Sequence, residues 1–253
     1  MSIITIPSNN FNVKPSKSTK SIRYQQTGIQ LDESVDLREW DSPVEDQGSL
    51  GSCVANAVTN AYELMVKEFY PDKFIELSRL FVYYNSRLIS NTINQDSGAY
   101  IRDALLGVKN YGICSEALWP YLYDKFDDQP TPDCYQDASK RKITEYSFLT
   151  TTNEMLEILM TKKPVLIGMD IYSDFLDVNK ENPILSMPTS ISYPMGGHAV
   201  TALGYNLPKQ LILIKNSFGN EWGDNGYGWI SFDYINQESF EKWYFEIANQ
   251  STI

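Results

Sequence analysis

The hydrophobic period of the chain changes near residue 145. Before that point apolar residues recur at helical spacing; after it they gather in short β-rich runs. Residues 53 to 70 place Val54, Ala57, Val58, Ala61, Leu64 and Met65 on one helical face, and Pro71 ends the run. Ser78 caps a second helix reaching about Ile89, and a third runs from about Ala99 to Asn110 ahead of Gly112. Thr151 with Glu154 makes a capping-box pattern before a fourth helix to Lys162, stopped by Pro164. Strands are expected at 164–171, 198–205, 210–216, 227–232 and 243–248. A helical half followed by a strand half predicts an α+β fold, with the natural site in the cleft between them.

Composition removes several chemistries. His198 is the only histidine in 253 residues, which excludes every centre that needs two imidazoles, HExxH zinc hydrolases among them. Cys53, Cys114, Cys134 and His198 contain no close ligand pair, so neither a metal nor a cofactor is expected. A net charge of −11 argues against a nucleic-acid partner held by phosphate contacts. No run approaches the ~18 apolar residues of a membrane helix, and the N-terminus lacks a secretory pattern. A cytoplasmic or virion-packaged protein is therefore expected ahead of a classically secreted one.

The charge is unevenly spread. Residues 1–31 hold Lys14, Lys17, Lys20 and Arg23 and no acid, so a +4 segment precedes a body of −15. This segment lacks periodicity beyond the short Ile3 to Ile6 run and reads as extended. Three readings stand open for it: a disordered terminus, a segment lying across the acidic body and blocking the cleft, or an organelle-targeting peptide.

Cys53 follows Gly51-Ser52 and opens the first long helix, where N–H groups and the helix dipole favour a thiolate. Gln47 lies in the same Gly-rich turn, QGSLGSC, and its amide can donate to an oxyanion beside the Cys53 N–H. His198 follows two glycines at the start of a strand, where backbone or substrate can come close. Asn216 comes 18 residues later, and a hairpin through 206–209 would bring it to His198. Its carbonyl can accept an imidazole N–H and leave the other ring nitrogen for the sulfur.

These segments, QGSLGSC at 47–53, GGHAV at 196–200 and NSFGNEWGDNGYGWI at 216–230, resemble the papain family of cysteine peptidases, as do SVDLREW at 34–40, LSRLFVYYN at 77–85, SGAYIRDALLGVKNYGICSEALWPY at 97–121 and PVLIGM at 164–169. The separation of 145 residues between Cys53 and His198 agrees with the family spacing of roughly 130–150. The resemblance implies a two-lobed papain-like fold, with a helical N-terminal lobe (34–145), a β-barrel-like C-terminal lobe (146–253) and a basic extension (1–33) that acts as a short propeptide. It implies Cys53 as nucleophile, His198 as base and acid, Asn216 as its orienter, and Gln47 with the Cys53 N–H as oxyanion hole. Trp222 matches the tryptophan that shields the His-Asn pair, and Gly98 and Ala99 the paired glycines that bind substrate backbone, beside Gly197. Ala199, Gly168 and Ile101 fall near the specificity pocket.

Some family positions differ. Leu50 replaces a half-cystine, Val54 an aromatic, and Phe218 a tryptophan. Cys134 resembles a half-cystine whose usual partner position is Asn85, so Cys114 and Cys134 either pair with each other or remain free. Members that trim peptide C-termini need further histidines, so the implied activity is endopeptidase, acting on polypeptides through a thioester. A catalytically silent peptide binder and an acyl transferase using the same residues are the alternatives.

Overall fold

The computed structural model describes residues 11–16 and 22–251. After an extended segment at 11–16, the chain forms β1 (Ile22–Arg23), β2 (Ser34–Asp36), α1 (Cys53–Phe69), α2 (Arg79–Ile89), α3 (Ile101–Tyr111) and α4 (Pro132–Ala138). It continues through β3 (Ile143–Leu149), α5 (Thr152–Met160), β4 (Val165–Tyr172), β5 (Ile184–Leu185), β6 (Pro194–Asn206), β7 (Leu211–Lys215), β8 (Tyr227–Ser231), α6 (Phe232–Glu238) and β9 (Ser239–Ile247). The strands form one sheet in the order β1-β3-β9-β4-β6-β7-β8-β5, with β2 added to β6. The helix-then-strand order is the expected α+β class.

Local signals behave as predicted at the helix ends. The Ser78 side chain accepts from Phe81 N at 3.1 Å, Gly112 takes a φ of +86° after α3, and Thr151 with Glu154 closes a capping box. The five predicted strands are all present, β6 extending well before residue 198. Helices α4 and α6 and the short strands β1, β2 and β5 carry too few residues for a period to register, and the sequence pattern did not predict them. Cys53, Cys114 and Cys134 are all buried free thiols.

The main departure concerns α1. Its spacing predicts a single apolar stripe, yet every residue from Cys53 through Val66 is buried. The helix lies between α2, α3 and the sheet, and Thr201 Oγ1 of β6 donates to Ala57 O at 3.0 Å. Its polar face meets a buried polar cluster: Asn60 Nδ2 donates to Asp41 Oδ1 at 2.6 Å, and Leu77 N to Glu63 Oε1 at 2.7 Å. Lys215 Nζ reaches Asp41 and also donates to Ser42 O at 2.8 Å and Pro43 O at 2.9 Å. Burial pushes Glu63 up to about 7 and Lys215 below its ordinary range. Removing one member of such a pair strands the other charge, so Lys215→Ala is expected to lower unfolding stability by about 3–5 kcal/mol, read from urea denaturation.

Candidate active site

Cys53 sits at the first position of α1 because Ser52 turns the chain into the helix there. The loop before it is pinned from two sides. Gly51 N donates to Asp96 Oδ1 at 2.9 Å, Tyr83 OH donates to the same carboxylate, and Gly98 N donates to Tyr83 OH at 3.3 Å. Ser52 Oγ meets Tyr121 OH at 2.5 Å, and Tyr121 OH donates to Gln47 O at 3.0 Å. Gln47 is wholly buried; its amide donates to Leu50 O at 2.8 Å and accepts from Ser217 Oγ at 2.6 Å. An amide nitrogen carries two N–H groups, so a second donor remains beside the cysteine loop.

His198 and Asn216 arrive from the other side. In β6, His198 stands opposite Met169 of β4, and the β6–β7 hairpin pairs Thr201 with Lys215, so the next residue, Asn216, returns to the histidine. His198 Nε2 and Asn216 Oδ1 are 2.8 Å apart, and Ser217 N also donates to that oxygen at 2.8 Å. With Nε2–H donating to the amide carbonyl, Nδ1 is the nitrogen left without a hydrogen-bond partner. The structure thus brings together Cys53, His198, Asn216 and Gln47, as the sequence predicts.

The shielding of the histidine is partly different from expectation. Its ring contacts are Phe218 (4.9 Å between centroids), Phe175 (5.4 Å) and Phe11 (5.7 Å). Trp222 is buried one layer behind, tilted against Phe175 at 5.0 Å and donating Nε1–H to Phe175 O at 2.8 Å. Trp222 therefore supports the shield, and Phe175, in an irregular segment after β4 with no motif to mark it, makes the contact. Asp96 and Tyr83 were likewise outside the sequence prediction.

Residues 11–16 cross the cleft. Val13 N donates to Gly197 O at 3.1 Å, and Asn12 makes a parallel bridge with Gly197. A Cβ on Gly98, whose φ is +74°, would stand 2.9 Å from Asn12 Cβ; one on Gly197 would stand 1.9 Å from Val13 O. The glycines are thus what lets this segment lie so close to both walls. Val13 joins the apolar cluster of Cys53, Ala99, Ile101 and Ala199, while Gly98 and Ala99 also line an open groove of about 330 Å³. Downstream, Glu157 of α5 accepts from Thr27 N and Gly28 N, both at 2.8 Å, and from Tyr24 OH at 3.1 Å, anchoring the chain after β1. The rest of the predicted extension, residues 1–10 with the Ile3 to Ile6 run and residues 17–21, lies outside the described residues.

This covering leaves Cys53 and His198 with no exposed surface. Burial pushes the Cys53 thiol up to about 12, against the opposing pull of the Ala199, Val54 and Cys53 N–H groups. Burial also lowers His198 to about 4, with the Asn216 bond opposing. Both groups are therefore neutral near pH 7 in this closed arrangement. Among the described residues no group of histidine, cysteine and acidic side chains could hold a metal ion, and no helix is long and apolar enough to cross a membrane.

Comparison with known proteins agrees with this architecture. Residues 31–244 match the family described as papain family cysteine protease. An uncharacterized peptidase C1-like protein of Acanthamoeba polyphaga mimivirus is 37% identical over 206 residues, covering 77% of this chain and 66% of that protein. Cathepsin K of Gallus gallus is 30% identical over 204 residues, 74% of this chain and 54% of that protein. The chain thus spans from about half to just under two thirds of the length of these two curated relatives. The crystal structure of xylellain, a cysteine protease from Xylella fastidiosa, superposes with a TM-score of 0.86 at 30% identity, covering 97% of this chain and 98% of that one. The fold, the match across most of the sequence and the likeness to these proteins make the chain a member of the papain family of cysteine proteases.

Proposed function

We propose that this protein is a cysteine endopeptidase acting on polypeptides, and that its N-terminal segment holds it inactive. Cys53 is the nucleophile. His198 Nδ1 takes the thiol proton, the sulfur attacks the scissile carbonyl, and the Cys53 N–H with the Gln47 amide receives the oxyanion. The imidazolium then protonates the departing amine, and the same nitrogen activates the water that hydrolyses the thioester. Asn216 holds the ring in the tautomer this sequence needs. The observation that carries the reading is the 2.8 Å contact between His198 Nε2 and Asn216 Oδ1, which leaves Nδ1 uncommitted. With no second histidine to hold a terminal carboxylate, cleavage is internal.

The inhibitory part of the proposal draws on residues 11–16, which exclude substrate from Gly98 and Gly197 and desolvate the Cys53–His198 pair. We propose residues 1–33 as this extension and 34–253 as the peptidase domain, its helical and strand-rich parts meeting near 145. The decisive experiment is labelling with an electrophilic peptidyl epoxide followed by peptide mapping. Modification is expected at Cys53 alone, on the chain with its extension removed, and should vanish in His198→Ala. No modification of the extension-free protein would favour a silent peptide binder.

A further inference from the structure

Glu241 is a buried acid that the proposed chemistry does not use. It lies on β9 opposite Gly168 of β4, and Gly168 in turn pairs with Ala199, the neighbour of His198. The carboxylate is therefore two strands from the catalytic histidine, on the side of the cleft that Val13 enters. A Cβ on Gly168 would stand 3.0 Å from Glu241 Cγ and 3.3 Å from Ile101 Cδ1. Glycine at 168 thus leaves room for Glu241 to reach the wall formed with Ile101 and Ala199.

The surroundings of the carboxylate fit a cation poorly supplied by the fold itself. Glu241 is 2% exposed; Oε2 accepts from Trp243 Nε1 at 3.0 Å and from Ser16 N at 3.2 Å, while Oε1 has no hydrogen-bond partner. One of those two donors belongs to the cleft-covering segment and would leave with it. Burial raises Glu241 above the usual carboxylate range, its bonds to Trp243 and Ser16 oppose that, and the nearby charge of Asp103 raises it further. Asp103 also lines the adjoining groove, where Lys14 of the same segment lies. An acid buried without a compensating cation destabilises a fold, so its presence beside the cleft calls for a partner that arrives with substrate.

We propose that Glu241 sets the specificity of the pocket on the acyl side, and that the protein selects polypeptides presenting a lysine or arginine side chain there. This rests on the peptidase reading above. When the segment withdraws, the ammonium or guanidinium of substrate replaces Ser16 N–H on Oε2 and meets the open Oε1. A charge-assisted pair in a desolvated pocket favours a basic over an apolar side chain by about 10- to 100-fold.

The test uses two readouts on the full-length chain carrying Phe11→Ser and Val13→Ser, which loosen the covering segment. First, hydrolysis of a fluorogenic peptide library varied at each acyl position should show one position preferring Arg and Lys over Leu by at least about tenfold in kcat/KM. Glu241→Gln, which keeps an acceptor for Trp243, should reduce that ratio to less than about twofold with little change for Leu peptides. Glu241→Ser should give the same loss. Second, the Cys53→Ala form should bind the Arg-containing peptide more tightly than its Leu counterpart, and Glu241→Gln should abolish the difference. Equal or apolar preference at every acyl position, or a ratio unmoved by both Glu241 variants, would overturn the assignment. Absence of any hydrolysis together with Glu241-dependent Arg binding would sink the peptidase reading and support the pocket.

Discussion

Replacing Cys53 with alanine is expected to lower kcat for peptide hydrolysis by about 10⁶-fold, the order of loss when the nucleophile of a catalytic triad is deleted. His198→Ala should cost nearly as much, because Nδ1 is the only base positioned for the thiol and no second imidazole exists in the chain. The combined variant should be no worse than Cys53→Ala alone, since the two groups act on one proton and one bond. Asn216→Ala removes the acceptor from His198 Nε2 and frees the ring to rotate, but it leaves both reacting groups present; its loss should be the smaller one. Single-turnover rates on protein freed of its extension measure all four. A Cys53→Ala form retaining a hundredth of the activity would require another nucleophile.

The second large effect concerns release of the cleft. Phe11 and Val13 are each 4% exposed, and burying two such side chains contributes about 3–6 kcal/mol. Phe11→Ser with Val13→Ser should therefore raise the rate of Cys53 alkylation by about 10²–10⁴-fold. Deleting residues 1–16 should do at least as much. Unchanged alkylation in both would remove the inhibitory role.

The same equilibrium should respond to pH. His198 falls from its ordinary 6.5 to about 4 in the closed form, so the open form binds the proton more readily. Closure is fully favoured above about 6.5 and is lost as pH falls towards 4, by up to about tenfold per unit. Glu157 acts in the same sense: desolvation raises it, but the bonds from Thr27, Gly28 and Tyr24 outweigh that and hold it below the usual range. Acid weakens that anchor. Glu241, raised in the closed form, opposes the trend. At the alkaline end Cys53 contributes with the other sign, its preference for the closed form lasting to about 9 and disappearing as pH rises towards 12. Alkylation rates from pH 4 to 9, normalised to a free thiol, should show opening increase on the acid side.

Much of the site was legible in the sequence because each of its parts is locally encoded. Cys53 heads a long helix, His198 follows two glycines at a strand, and the hairpin from 206 to 209 returns Asn216 to it. These depend on capping, turn chemistry and side-chain period, which act over a few residues. The strongly charged extension was also visible, though three fates for it were equally readable from composition.

What the tertiary structure decided are the contacts between residues far apart in the chain. Local period marks one apolar face on α1, but packing between α2, α3 and the sheet buries Asn60 and Glu63 too, and supplies Asp41 and Leu77 as their partners. Trp222 carries a motif and Phe175 carries none, yet it is Phe175 that lies against His198. Residues 11–16 have no pattern of their own; only the glycine-lined walls at 98 and 197 determine where they lie. Glu241 reads in sequence as an ordinary charge in a strand, and the register against Gly168 makes it a buried carboxylate at the cleft. The physical division is that turn, cap and period energies are set by neighbours in sequence, whereas desolvation is set by whatever the completed fold brings alongside. That is why the sequence by itself identified Cys53 and His198, and why their neutral, sealed state depends on the folded chain.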